Sequence, residues 1–217
     1  KRSREYLASF AAFGVNGPQL FGSEPEIMAK AAKAAQESSP DFIDINMGCP
    51  APKIAGNGGG SALMRDISLA GEIVSAVAEA VNIPVTVKMR TGYDSAHINA
   101  VTLAQVLENN GAKMITVHGR SRDQMYSPPV DYDTIKAVKQ AVSIPVVANG
   151  DIKDGKTAKQ VLDYTGCDAL LVGRAALGNP FVFEEINAYL KGEEYTPPTL
   201  EERLEMCKKH ISLMLLY

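Results

Sequence analysis

The chain has 217 residues, 46% hydrophobic and 22% charged, with 22 Lys plus Arg against 25 Asp plus Glu for a formal charge of −3. This composition is globular and excludes wholesale disorder, and no apolar run of about 18 residues is present to span a membrane. A chain gripping nucleic acid over its whole surface would be basic, so any such partner must meet a local patch. Three cysteines (Cys49, Cys167, Cys207) are widely spaced and odd in number, and the three histidines lack ligand spacing. Neither a disulfide framework nor a metal site is expected, and a reducing cytoplasm is. The chain opens on Lys1-Arg2-Ser3-Arg4-Glu5 with no initiator Met and no following apolar signal core, which reads as a fragment without a secretory leader.

In chain order, six short apolar runs are predicted as strands, at 19–21, 42–46, 85–89, 115–118, 146–149 and 169–172. Most end in a polar residue or glycine, as buried parallel strands do. Helical patterns fill the gaps. Ser23 and Glu26 resemble a capping box ahead of Ile27, with Pro25 in the first turn. Ile73, Val74, Val77, Ala78 and Val81 form one apolar helical face. Asn82-Ile83-Pro84 and Ser143-Ile144-Pro145 each stop a helix and launch a strand, while Gly111 and Gly166 are placed to cap helix C-termini.

Repeated strand–helix units predict an α/β fold, either a (β/α)8 TIM barrel or an open sheet. Polar residues gather at the strand C-termini over five consecutive strands, which favours the barrel. With only six strands recognised, the barrel is expected to be incomplete. Residues 1–190 are assigned to it, its N-terminal strands missing, and 191–198 to a polar linker. Residues 199–217, opened by a Thr199/Glu202 capping box and carrying a Leu200, Leu204, Cys207, Ile211, Leu215 stripe, are read as the first helix of a C-terminal helical domain.

Chemistry concentrates at the strand ends. Asn149-Gly150-Asp151 and Gly173-Arg174-Ala175 follow consecutive strands and read as a phosphate cradle of backbone N–H groups with one cation. Lys88 closes an otherwise apolar strand and needs a counter-charge. His118 alone fits a structural or a functional role equally. Asn46-Met47-Gly48-Cys49-Pro50-Ala51-Pro52-Lys53 is the most specific stretch, followed by the glycine-rich 56–61, expected to be a mobile loop over a site. A thiol held between Gly and Pro past a strand serves as an acid as readily as a nucleophile. Cys167 and Cys207, in apolar patterns, are expected in the core.

Taken together, Asn46-Met47-Gly48-Cys49-Pro50 with Lys53, Val87-Lys88-Met89-Arg90, Val117-His118-Gly119-Arg120, Asn149-Gly150-Asp151 and Gly173-Arg174-Ala175 resemble the tRNA-dihydrouridine synthase family, in order, from Gln19 to Tyr217. The family's Pro-Met-Ala-type first strand is not found ahead of Gln19. The resemblance implies an FMN-bearing barrel followed by a helical domain that helps hold tRNA. NADPH or NADH reduces the flavin, hydride passes to C6 of a tRNA uracil, and a cysteine at the position of Cys49 protonates C5. It implies flavin contacts for Gln19, Lys88 (at the N1/O2 edge) and His118. Asn149, Gly150, Asp151, Gly173 and Arg174 would surround the FMN phosphate. Asn46 and Arg90 would meet the uracil, and Lys53, Arg120 and Arg122 the RNA. Two alternatives stay open, an FMN barrel reducing a free pyrimidine or small enone, and a non-catalytic phosphate- or RNA-binding barrel.

Overall fold

The computed structural model describes residues 15–216. The expected residues 1–14 of the barrel domain, including Phe13-Gly14, lie outside the described part. Six strands pair in parallel in strict chain order: β1 (Gln19–Leu20), β2 (Ile43–Met47), β3 (Val85–Arg90), β4 (Met114–His118), β5 (Val146–Asn149) and β6 (Ala169–Leu171). Successive parallel neighbours joined by helices on one side are the unit of a (β/α) barrel, and among the described residues six strands are present with no pairing of β6 back to β1. The predicted strands are all found, with ends shifted by a residue: Phe21, Phe42 and Val172 fall outside, while Met47, Arg90 and Met114 join the ladder.

Alternation explains how each strand serves two environments. On β2, Ile43, Ile45 and Met47 are fully buried, whereas Asp44 and Asn46 between them point to the opposite, inner face. The buried set packs beneath α1 (Pro25–Gln36) and α3 (Ile67–Ala80), whose Met28, Ala32, Ile73, Val74 and Val77 complete that part of the core. Each such large side chain contributes about 1.5–3 kcal/mol of burial. α4 (Ala100–Asn109), α5 (Tyr132–Ala141), α6 (Gly155–Thr165) and α7 (Val182–Lys191) continue the outer layer. Gly166 does cap α6 in the left-handed conformation.

Three local expectations are corrected. Ser23 is not the cap of α1: Glu24 occupies that position without a side-chain bond, and the Ser23 hydroxyl donates instead to the Asn57 carbonyl at 2.9 Å. The glycine-rich 56–61 forms a turn over 56–59, and its last two residues pass directly into helix. It follows the short helix α2 (Pro52–Ala55) and enters a 3-10 turn, Gly60–Arg65, anchored by fully buried Leu63 and Met64. Cys207 is exposed on α8 (Leu200–Leu216), whose Leu200, Leu204, Ile211 and Leu215 are also exposed. The Thr199/Glu202 capping box is present, Glu202 accepting from the Thr199 backbone N–H at 2.7 Å. Among the described residues, no helix is long and apolar enough to cross a membrane.

α6 meets α7 at a point where no side chain fits. A Cβ on Gly155 would sit 2.3 Å from Tyr189 Cβ. Gly155→Ala should therefore destabilise the protein by about 1–3 kcal/mol through overpacking, measured by urea unfolding. An unchanged midpoint would show that these helices do not approach so closely.

Candidate functional site

The ladder register places the inner-face polar residues in rows across the sheet. Gln19 pairs with Asp44, Asn46 with Lys88 and Lys88 with Thr116, while one step further along Arg90 pairs with His118 and His118 with Asn149. Because parallel neighbours keep the same face, these residues point into one concavity. A cavity of about 940 Å³ opens there, walled by Lys88, Arg90, His118, Asn149, Gly173 and Arg174 among others.

On its β1–β2 side a chain of amides leads to the cysteine. Gln19 Nε2 donates to Asp44 at 2.6 Å, and Asn46 Nδ2 donates to Gln19 Oε1 at 2.7 Å. The Asn46 carbonyl oxygen then accepts from the backbone N–H groups of Gly48 (3.1 Å) and Cys49 (2.9 Å). From the other side, the Cys49 carbonyl accepts from Ser61 N at 3.1 Å. Gly60 makes that contact possible: its φ is +57°, and a Cβ there would lie 2.8 Å from the Cys49 oxygen. The thiol-bearing residue is thus pinned from both flanks and remains half-buried rather than sealed.

Cations dominate the centre. Burial pushes the Lys88 ammonium below its ordinary pKa, Arg90 adds to that, and Asp44 and Cys49 oppose it. Burial raises the Asp44 carboxyl, against the hydrogen bonds from Thr86 (2.6 Å) and Gln19 and the charge of Lys88. Arg90 is buried and spans two loops, its Nε donating to Gly48 O at 2.8 Å and Nη1 to Ser121 O at 3.0 Å. His118, desolvated and facing Arg90, Lys88 and Arg120, has its pKa lowered to about 3, so it is neutral at physiological pH.

At the β5 and β6 ends, the residues read as a phosphate cradle lie together, with the Asp151 carboxylate turned to arginines. Asp151, at a left-handed φ of 50°, is a shared counter-ion. Arg120 Nη2 and Nη1 reach its two oxygens at 2.6 and 3.1 Å, and Arg174 Nη2 reaches it at 2.7 Å. The Arg120 hydrogen bond, more than any other influence, holds the Asp151 carboxyl below its usual range. Arg174 also lies over the Tyr126 ring at 4.4 Å, and Tyr132 steadies the turn by donating to Gly150 O at 2.8 Å.

Lys88, Arg90, His118, Asn149, Gly150, Asp151, Gly173 and Arg174 are brought together around one cavity, while Gln19, Asn46 and Cys49 form a linked cluster outside its lining. Lys53 is exposed on α2, outside its wall, and beside a smaller pocket with Phe21 and Ile27. Arg120, expected at the RNA, is buried beneath the rim and tied to Asp151. Sequence reasoning missed Asp44 and Tyr126. Asp44 was detectable as the one acidic residue inside a predicted strand; nothing local marked Tyr126.

A sequence profile described as dihydrouridine synthase (Dus) matches residues 15–216. The chain belongs to the dihydrouridine synthase family. It is 46% identical to tRNA-dihydrouridine synthase B of Shewanella oneidensis over 212 residues, 97% of this chain and 66% of that protein. It is 48% identical to a probable tRNA-dihydrouridine synthase of Rickettsia conorii, covering 92% of the chain and 60% of the relative. With the Yersinia pestis tRNA-dihydrouridine synthase B, identity is 49% over 85% of the chain and 58% of the relative. The chain thus spans about three fifths to two thirds of the length of these relatives. Among solved structures, a dipeptide epimerase from Enterococcus faecalis superposes with a TM-score of 0.60 at 18% identity, over 82% of this chain and 45% of that one, a likeness of fold alone. The six-stranded sheet and its helices are accordingly part of a TIM barrel, the family's fold.

The depressed His118 pKa has a thermodynamic consequence. Between about pH 6.5, the unfolded value, and about 3, the unfolded chain takes up a proton that the folded site refuses, so stability falls as pH is lowered through that window. His118→Gln should flatten the decline of the melting temperature between pH 6.5 and 4.5. Parallel declines for both proteins would place His118 in a more polar setting than described.

Proposed function

We propose that this chain carries the flavin barrel of a tRNA-dihydrouridine synthase, an oxidoreductase that uses FMN and NADPH or NADH to reduce specific tRNA uridines to 5,6-dihydrouridine in the cytoplasm. The observation that carries the reading is the Gln19–Asn46–Cys49 relay, on the strands next to Lys88 and Arg90, which line the 940 Å³ cavity.

The residues present fit FMN. The cavity is of cofactor size, a Cβ at Gly173 would face open space, and Lys88 makes no ion pair with a described carboxylate. Gln19, Lys88, His118 and Asn149 would hold the ring system, with Lys88 balancing negative charge at its N1/O2 edge. Gly150, Gly173 and Arg174 would take the phosphate, Asp151 keeping Arg174 poised beside it. Bound FMN supplies the hydride that C6 of the uracil receives.

Hydride addition to a C5=C6 bond conjugated to a carbonyl leaves negative charge that a proton must meet at C5. Cys49 Sγ–H delivers that proton, so the double bond gains one hydride and one proton while the nicotinamide donor is oxidised. Asn46 fixes Cys49 through its amide oxygen, and its second Nδ2 hydrogen, not used by Gln19, is the one that would meet the uracil. Arg90 has Nε and Nη1 bound to backbone oxygens, which leaves Nη2 as the nitrogen that would meet the base. A neutral His118 adds no further positive charge beside Lys88. The uracil must leave its stack to reach this depth, as in other base-modifying enzymes.

In this reading residues 1–190 are barrel and 191–198 linker, and residues 199–217 open a helical domain that meets tRNA. The exposed leucines of α8 support that division.

The test uses the full-length protein with NADPH, FMN and unmodified tRNA. Cys49→Ala should lower dihydrouridine formation about 10²–10⁴-fold, the usual contribution of a positioned acid, with FMN affinity unchanged. Wild-type turnover in the variant would remove Cys49 from the reaction. Equal turnover of free uridine and tRNA would favour a small-molecule reductase.

A further inference from the structure

Near the segments that Arg90 ties together, three side chains from separate parts of the chain form a cationic stack. Tyr93 lies in the loop that follows β3, and its half-buried ring packs against the hydrophobic core. Over that ring lie the guanidinium of Arg65, at 4.9 Å from the centroid, and that of Arg122, at 4.3 Å. Arg65 ends the 3-10 turn downstream of Cys49; Arg122 follows Ser121, whose carbonyl holds Arg90.

The stack has few partners for a structural pair of arginines. Neither guanidinium forms an ion pair or donates a hydrogen bond to another described residue, and Arg122 Nε is buried without a partner among them. The nearby carboxylates are engaged elsewhere: Asp94 accepts from Ala96 N at 3.0 Å and pairs with His97, and Asp123 accepts from Ser121 Oγ at 2.5 Å and from Ser95 Oγ at 3.3 Å. Arg122 is steadied by its backbone N–H, which donates to Gly92 O at 3.2 Å. Two like charges sharing one ring repel each other, and the ring's negative face offsets only part of that. A phosphate meeting the guanidinium Nη groups, which carry no described partner, would satisfy those donors and offset the repulsion.

We propose that the Arg65–Tyr93–Arg122 stack is a phosphodiester-binding clamp for the tRNA strand entering the site, pre-organised by the tyrosine ring. The proposal rests on the tRNA-modifying reading and adds to it a binding site outside the cavity. The net charge of −3 leaves an RNA partner dependent on such local patches. Continuity with the cavity supports RNA as the occupant: Gly48, next to Cys49, and Ser121, next to Arg122, are bridged by the single guanidinium of Arg90. A phosphate held at the clamp would therefore sit on the same loops that fix the proton donor.

The test measures tRNA affinity of the full-length protein over a series of salt concentrations. Removing one arginine–phosphate ion pair should make the slope of log K against log salt shallower by about 0.7–0.9. Arg65→Ala with Arg122→Ala should abolish one or both of the clamp's ion pairs, raise the tRNA Kd at low salt about ten-fold or more, and leave FMN affinity unchanged. Arg65→Lys with Arg122→Lys should restore the slope, since charge is retained, and Tyr93→Leu should weaken tRNA binding while keeping both arginines. An unchanged slope in a folded Arg65→Ala, Arg122→Ala protein that still binds tRNA overturns the clamp and leaves the tRNA reading standing. A lysine pair that restores thermal stability but not the slope also overturns it, marking the stack as structural. A wild-type protein with no affinity for tRNA would defeat the functional reading itself.

Discussion

The site depends on the in-register pairing of parallel strands. Because every neighbour in the β2–β5 ladder keeps the same face toward the interior, Asn46, Lys88 and Thr116 form one row and Arg90, His118 and Asn149 the next. A slip of one residue in any strand would turn its polar members into the apolar layer under the helices and bring Ile45, Val87 or Val117 inward. The fully buried outer-facing residues therefore enforce the position of the inner-facing ones. Core and site are two faces of one ladder.

That arrangement crowds like charges, and two carboxylates counter it. Asp44 lies on the inner face near Lys88 and holds Gln19 and Thr86. Asp151 holds Arg120 and Arg174. Burial penalises each of the central ionised groups, and the surplus remains cationic at Lys88 and Arg90. A protein that holds uncompensated positive charge in a concavity is suited to a bound anion, and a neutral His118 limits how far the surplus extends. The same logic reaches the rim, where Arg65 and Arg122 share Tyr93.

Much of this was legible in the sequence. Buried parallel strands announce themselves as β-branched runs ended by a polar residue, so all six were found and only their terminal residues moved. The residues at those ends were legible for the same reason. The partnerships were not. Asp151 meets Arg120 and Arg174 from 31 and 23 residues away, and nothing local in Asn149-Gly150-Asp151 says that its carboxylate faces arginines rather than solvent. The glycines of 56–61 read as mobility, yet Leu63 and Met64 just beyond them anchor the segment, and Gly60 is there to let Cys49 approach. The apolar stripe on α8 placed Cys207 in a core, whereas that face is exposed in the described structure.

Under the proposed function, this inner face delivers reducing equivalents to tRNA. Anaerobic mixing tests it most directly: the full-length protein, loaded with FMN and reduced by one equivalent of NADPH, is combined with unmodified tRNA while flavin absorbance is followed. The flavin should be reoxidised with an equal yield of dihydrouridine. A flavin that stays reduced in the presence of bound, unmodified tRNA would contradict it.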